Sequence, residues 1–194
     1  MLGATCLGLS LWPFAHEVFM LNEFIGVKAL DVERIDSAKA LLASFRELSP
    51  FVILLSLAVA PAVCEEFFFR GYLLGSLKRS MPPYAAILVS ALFFGVFHVI
   101  TTSVLATERM LPSTFLGLIL GWVCLRSGSL YPGIVLHGLH NGLLLMLGKY
   151  QNELMEAGWG MDEASHMPAG WLATAAIAVV VGVLLVTRQR AGAQ

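Results

Sequence analysis

Glu65, Glu66 and Arg70 fall within CEEFFFRGYLLG (residues 64–75), inside a run that is otherwise apolar. His98 stands in a second such run, and His137, His140 and Asn141 in a third. A charged residue at the centre of a membrane-spanning helix costs about 2.5–3.5 kcal/mol on insertion scales. Three of them would cost on the order of 8–10 kcal/mol uncompensated. Ionisable groups in that setting face protein or water, and by default they mark function.

Helical spacing divides these residues by task. Glu66 and Arg70 are four apart, share a face and can pair, which compensates two of the three charges. Glu65 is turned about 100° from Glu66 and is left to point into a cavity. His137 and Asn141 are again four apart, as are Phe94 and His98, so the Phe94 ring can wall the cavity beside the imidazole. His140 is turned about 60° from His137, towards a neighbouring helix. At about 1.5 Å per residue these groups lie roughly 12–21 Å from one face, so they can meet near the midplane, reached from the cytoplasm.

A free carboxylate and an imidazole on facing helices can activate water. Glu65 would be the general base and His98 would orient the water or move its proton. His137 and Asn141 could donate hydrogen bonds to the oxyanion formed when water attacks a carbonyl. A carboxylate and two imidazoles (Glu65, His98, His137) also make a ligand set for catalytic zinc. The pattern lacks HExxH, and asparagine is a poor zinc ligand but a good oxyanion donor, so metal-free chemistry with no cofactor is favoured and zinc is the alternative. Cys64 is set aside as a nucleophile, since a thiolate beside a carboxylate is unfavourable.

In order along the chain the residues form EExxxR at Glu65–Arg70, FxxxH at Phe94–His98 and HxxxN at His137–Asn141. This ordered set resembles the CAAX prenyl endopeptidase and bacteriocin-processing (CPBP or Abi) family of intramembrane proteases, over about residues 50–148. The resemblance implies that the substrate is a peptide, with Glu65 and His98 activating water, His137 and Asn141 as the oxyanion site, and Glu66 and Arg70 in support. The expected partners are the bilayer and a membrane-associated peptide or protein, including a lipidated one. Residues 1–49 and the last helix match no family motif, and the chain is short for the family, as if an N-terminal helix were missing or replaced. A non-catalytic immunity or scaffolding protein with the same fold is the alternative function. An ion or proton relay fits less well, because its groups would be strung across the bilayer rather than levelled at one depth.

The elements that must position these residues are apolar helices. Of 194 residues 58% are hydrophobic and 13% charged, against about 45–50% apolar in ordinary soluble domains. A net charge of −1 offers no basic surface for nucleic acid. Cys6, Cys64 and Cys124 form no metal-like or CxxC pattern. The pattern predicts one all-α, polytopic membrane domain over residues 1–194, with about six transmembrane helices at 2–22, 50–77, 84–105, 110–126, 129–148 and 169–187. The first is interrupted by Pro13, His16 and Glu17, and reads as a retained segment because it has no basic n-region or cleavage site. An amphipathic helix is expected within 27–49 and an acidic loop over 149–168. Alternation then gathers Lys78, Arg79, Arg126, Arg188 and Arg190 on one side, which puts both termini in the cytoplasm of a cell whose cytoplasmic membrane holds the protein.

Overall fold

The structure is a computed structural model that describes residues 1–24, 45, 47–101, 107–158 and 165–188. Every regular element among them is helical: α1 (Leu2–Ser10), α2 (Trp12–Phe24), α3 (Pro50–Leu77), α4 (Pro83–Thr101), α5 (Met110–Ser127), α6 (Tyr131–Lys149), α7 (Gln151–Glu156) and α8 (Ala169–Arg188). The expected amphipathic helix and the last residues of the third expected span lie outside the described residues.

Local chemistry sets the helix ends. Ser49 caps α3 by accepting from the Val52 amide at 3.2 Å, with Pro50 in the first turn. Gly128 closes α5 in the left-handed region, at φ +69°. Pro13 has no N–H to return to the Leu9 carbonyl, and α1 and α2 meet there at a 41° bend. Pro61 likewise interrupts α3, which runs in π register over Leu54–Val59 and again over Phe67–Leu73. The two π runs flank Glu65 and Glu66. Nothing in the sequence reading anticipated them.

Four helices are long and apolar enough to cross a bilayer: α3, α4, α5 and α8. The bent α1–α2 pair makes a fifth if it is one span. The fifth expected span, 129–148, forms as α6, which has the length but falls short in hydropathy, because it carries His137, His140 and Asn141. The protein is therefore an all-helical membrane bundle of four or five such spans, with α6 held among them.

In lipid the helices gain little from hydrophobic burial and are held by close packing at small residues. A Cβ on Gly3 would stand 2.8 Å from the Gly182 carbonyl of α8, and one on Gly8 would stand 2.7 Å from the Leu136 carbonyl of α6. α1 thereby delivers Ala4, Leu7 and Leu11 to a core completed by Leu116, Leu120, Val123, Leu136 and Val186. α4 and α5 pack antiparallel at the same kind of contact. A Cβ on Gly121 would meet Ile87, one on Gly117 would meet Ala91, and one on Gly95 would stand 2.8 Å from the Met110 carbonyl. One turn further on, that register sets His98 level with Arg109. Arg126 donates to the Thr187 carbonyl at 3.2 Å, and Gly3 lies against Gly182 and Val186, so the N-terminus, Arg126 and Arg188 share one end of the bundle. Lys149 donates to the Leu48 carbonyl at 2.8 Å at the other end.

Candidate active site

Glu66 is the hub. Its Oε1 pairs with Arg70 Nη1 at 2.9 Å and accepts from His137 Nδ1 at 3.1 Å. The side chains of Glu66 and Arg70 are 0% exposed. Arg70 also donates to the Gly117 carbonyl of α5 at 3.1 Å, and its guanidinium carbon lies 4.4 Å from the centre of the Phe94 ring. A desolvated cation over an aromatic face gains about 2 kcal/mol. One carboxylate and one guanidinium thus tie α3 to α4, α5 and α6. The i, i+4 pairing expected from spacing forms as expected, and it does more than neutralise charge.

Glu66 can reach α6 because Gly133, one turn before His137, has no side chain. A Cβ there would stand 2.9 Å from Glu66 Oε2. Gly133→Ala is expected to cost about 1–3 kcal/mol by overpacking and to turn His137 away from Glu65. Thermal unfolding with cleavage assayed in parallel checks this, and an alanine variant with unchanged stability and activity would refute it. The sequence reading missed Gly133, which only the approach of another helix makes special.

Glu65 points the other way, as its 100° offset requires. Its Oε2 lies 3.8 Å from His98 Nε2 and 3.8 Å from His137 Nε2. Both distances are too long for direct hydrogen bonds and suit a bridging water. Glu65 Oε2 and His137 Nε2 are shielded from solvent and find no hydrogen-bond partner among the described residues. His98 Nδ1 lies 2.8 Å from the Phe94 carbonyl and His137 Nδ1 contacts a carboxylate, so each ring donates from Nδ1 and turns its Nε2 towards Glu65. Three polar atoms converge on one small space.

That arrangement suits either a water or a cation, and spacing separates the two. Ligands held 2.0–2.1 Å from a tetrahedral zinc stand about 3.3 Å apart, closer than the 3.8 Å seen here. Among the described residues no group of three or more histidine, cysteine, aspartate or glutamate side chains is placed to hold a metal ion. The set Glu65, His98 and His137 does not fit zinc in this geometry.

The remaining expected residues divide. Asn141 lies half-buried one turn beyond His137 and makes no hydrogen bond among the described residues. His140 is 3% exposed and packs inside the bundle, away from Glu65, as its rotation predicts. Phe94 does not wall the cavity. It is fully buried beneath both imidazoles, with ring centres 4.5 Å from His98 and 5.6 Å from His137. A cavity of about 270 Å³ is lined instead by Cys64, Glu65, Phe68, Phe69 and Phe97. Cys64, Phe68 and Phe97 are exposed on the flank of the bundle, so this cavity opens beside α3 and α4. Arg109, the residue before α5, stands level with His98 in the α4–α5 register. A hairpin register of this kind leaves no mark in the motif pattern.

The fold and the site define a helical membrane protein with a carboxylate–imidazole centre between α3, α4 and α6. Residues 47–143, half of the chain, match the family model described as type II CAAX prenyl endopeptidase Rce1-like. The chain belongs to this family of CAAX-type membrane proteases. No curated protein and no solved structure matches it.

Proposed function

We propose that the protein is an intramembrane endopeptidase in which Glu65 activates water against a peptide bond. The observation that carries this reading is the convergence of Glu65 Oε2 and the two Nε2 atoms, at 3.8 Å each, with no hydrogen-bond partner for Glu65 Oε2 or His137 Nε2 among the described residues. A water held there donates one proton towards Glu65 and the other towards His98. Its oxygen attacks the carbonyl carbon, and the proton it loses passes to Glu65. His137 becomes a donor when it carries a proton on Nε2 as well, and the Glu66 carboxylate on its Nδ1 supports that charge. His137 and the Asn141 amide then stabilise the oxyanion. When the intermediate collapses the C–N bond breaks, and the proton on Glu65 goes to the leaving amine.

No metal is required in this scheme. Incubation with a strong chelator is expected to leave cleavage unchanged, and loss of activity restored by added zinc would overturn the metal-free reading. Both termini are assigned to the cytoplasm, since Arg126, Arg188 and the N-terminus share one end of the bundle and basic residues favour that side. The substrate is a membrane-associated peptide or protein, including a prenylated one.

Comparing new protein N-termini in cells carrying wild type or Glu65→Ala at equal membrane levels tests the function. Termini that vanish in the mutant establish proteolysis and name the substrate. Identical profiles, with the cellular phenotype intact, would leave the scaffolding or immunity role instead.

A further inference from the structure

A serine or threonine hydroxyl inside a helix often bonds back to the carbonyl four residues earlier. Ser10, Ser56, Thr101, Ser127 and Thr174 all do so, on Cys6, Val52, Phe97, Val123 and Gly170. Ser90 leaves its own helix, α4, and donates instead to the Phe69 carbonyl of α3 at 3.2 Å, with both residues buried. No other hydrogen bond joins α3 to α4 among the described residues. The Phe69 carbonyl also accepts from the Leu74 amide, five residues on, within the π run Phe67–Leu73. A π turn is wider than an α turn and occurs mostly singly, so a run of this length needs outside support. Ser90 supplies it at the peptide that links Phe69 to Arg70.

Ser90, Phe94 and His98 stand on successive turns of one face of α4, and each meets α3. Ser90 holds the Phe69 carbonyl. The Phe94 ring lies 4.4 Å from the Arg70 guanidinium carbon and edge-on to the Phe69 ring at 5.0 Å. His98 faces Glu65 across 3.8 Å. The first of these contacts is a direct hydrogen bond and the last is an open gap. We propose that Ser90 is a positioning residue, which pins the π turn of α3 to α4 and so sets the separation of Glu65 from His98. The proposal rests on the endopeptidase reading and adds to it a residue outside the three motifs. Without the hydroxyl the π run can relax towards α register, and a shift of one residue turns its flank by about 100°. Glu65 and Glu66 lie immediately before the run. Glu66 stays tied to Arg70 and His137, whereas Glu65 Oε2 has no hydrogen-bond partner among the described residues. The loss of Ser90 should therefore fall on the aim of Glu65 and spare the fold.

The test uses the purified full chain in nanodiscs and a peptide spanning one of the N-termini that vanish in Glu65→Ala cells. Ser90→Ala is expected to lower kcat per folded molecule about 10–100-fold, the usual cost of a small misplacement of reacting groups. KM should stay within about twofold and the melting temperature within about 5 °C, since one hydrogen bond between membrane helices contributes little to stability. Ser90→Cys, close in size and able to donate only weakly, should melt like wild type and turn over at a rate between serine and alanine. A merely structural hydroxyl would lower the amount of folded enzyme and leave kcat per folded molecule unchanged, and that result overturns the proposal. A rise in KM at constant kcat overturns it too. Should Ser90→Ala fail to fold, Ser90→Cys decides alone, and wild-type kcat in that variant sinks the proposal. If no terminus vanishes in Glu65→Ala cells, the endopeptidase reading fails and takes this inference with it, whereas wild-type kcat in Ser90→Ala removes the inference only.

Discussion

Converting Glu65 to glutamine is expected to slow cleavage by about 10²–10⁴-fold, the usual contribution of a positioned general base, while the protein stays folded. The reason lies in where the carboxylate points. Its Oε2 is shielded from solvent, 3.8 Å from two imidazole nitrogens and bonded to no described residue, so no structural contact is lost with its charge. Removing a shielded, unpaired oxygen tends to leave stability unchanged or to raise it, the usual trade at a site built for chemistry. The check is the rate of appearance of the cleaved termini together with thermal unfolding of the purified variant. Adding His98→Ala to Glu65→Gln should cost little more than either change alone, because groups that act on one water are not additive. Activity within about tenfold of wild type would sink the general-base assignment.

The neighbouring residue is expected to behave in the opposite way. Glu66→Ala leaves Arg70 charged and without its carboxylate in a site 0% exposed, and breaking a buried pair costs about 3–5 kcal/mol. Against a total stability of about 5–15 kcal/mol, much of the folded protein should be lost from the membrane. Arg70→Leu should do comparable damage by stranding Glu66. Replacing both, as Glu66→Leu with Arg70→Met, should recover most of the stability, since a well-packed apolar pair substitutes for a buried ion pair. Cleavage should not return, because His137 Nδ1 loses its acceptor and the ring its orientation. A double-mutant cycle on thermal stability reads the coupling directly. Additive single effects would mean that the pair is not the tie between helices described above.

The contrast separates two adjacent glutamates that composition treats alike. A scaffolding protein would need Glu66 and Arg70 for its fold but would be indifferent to Glu65. The enzyme reading requires both, for different reasons. Loss of function with retained folding at residue 65, and loss of folding at residue 66, together distinguish the two.

The residue types and their spacing determined by themselves that this is a helical membrane protein, that Glu66 and Arg70 pair, and that Glu65 faces elsewhere. These are consequences of one helix's geometry, which 1.5 Å and 100° per residue make readable from order alone. The levelling of Glu65, His98 and His137 was also legible, because each lies at a countable distance along its own helix. What passes between helices was decided only by the tertiary structure. The 3.1 Å contact of His137 with Glu66 exists because Gly133 lets α6 approach, and that contact on Nδ1 turns Nε2 to Glu65. Phe94 sits beneath the imidazoles and not along the cavity, because its face of α4 turns towards Arg70. Arg109 stands level with His98 because three glycine contacts set the α4–α5 register. Distances along a helix follow from counting residues, whereas contacts across helices depend on which surfaces interlock, and single glycines there decide whether two backbones can meet.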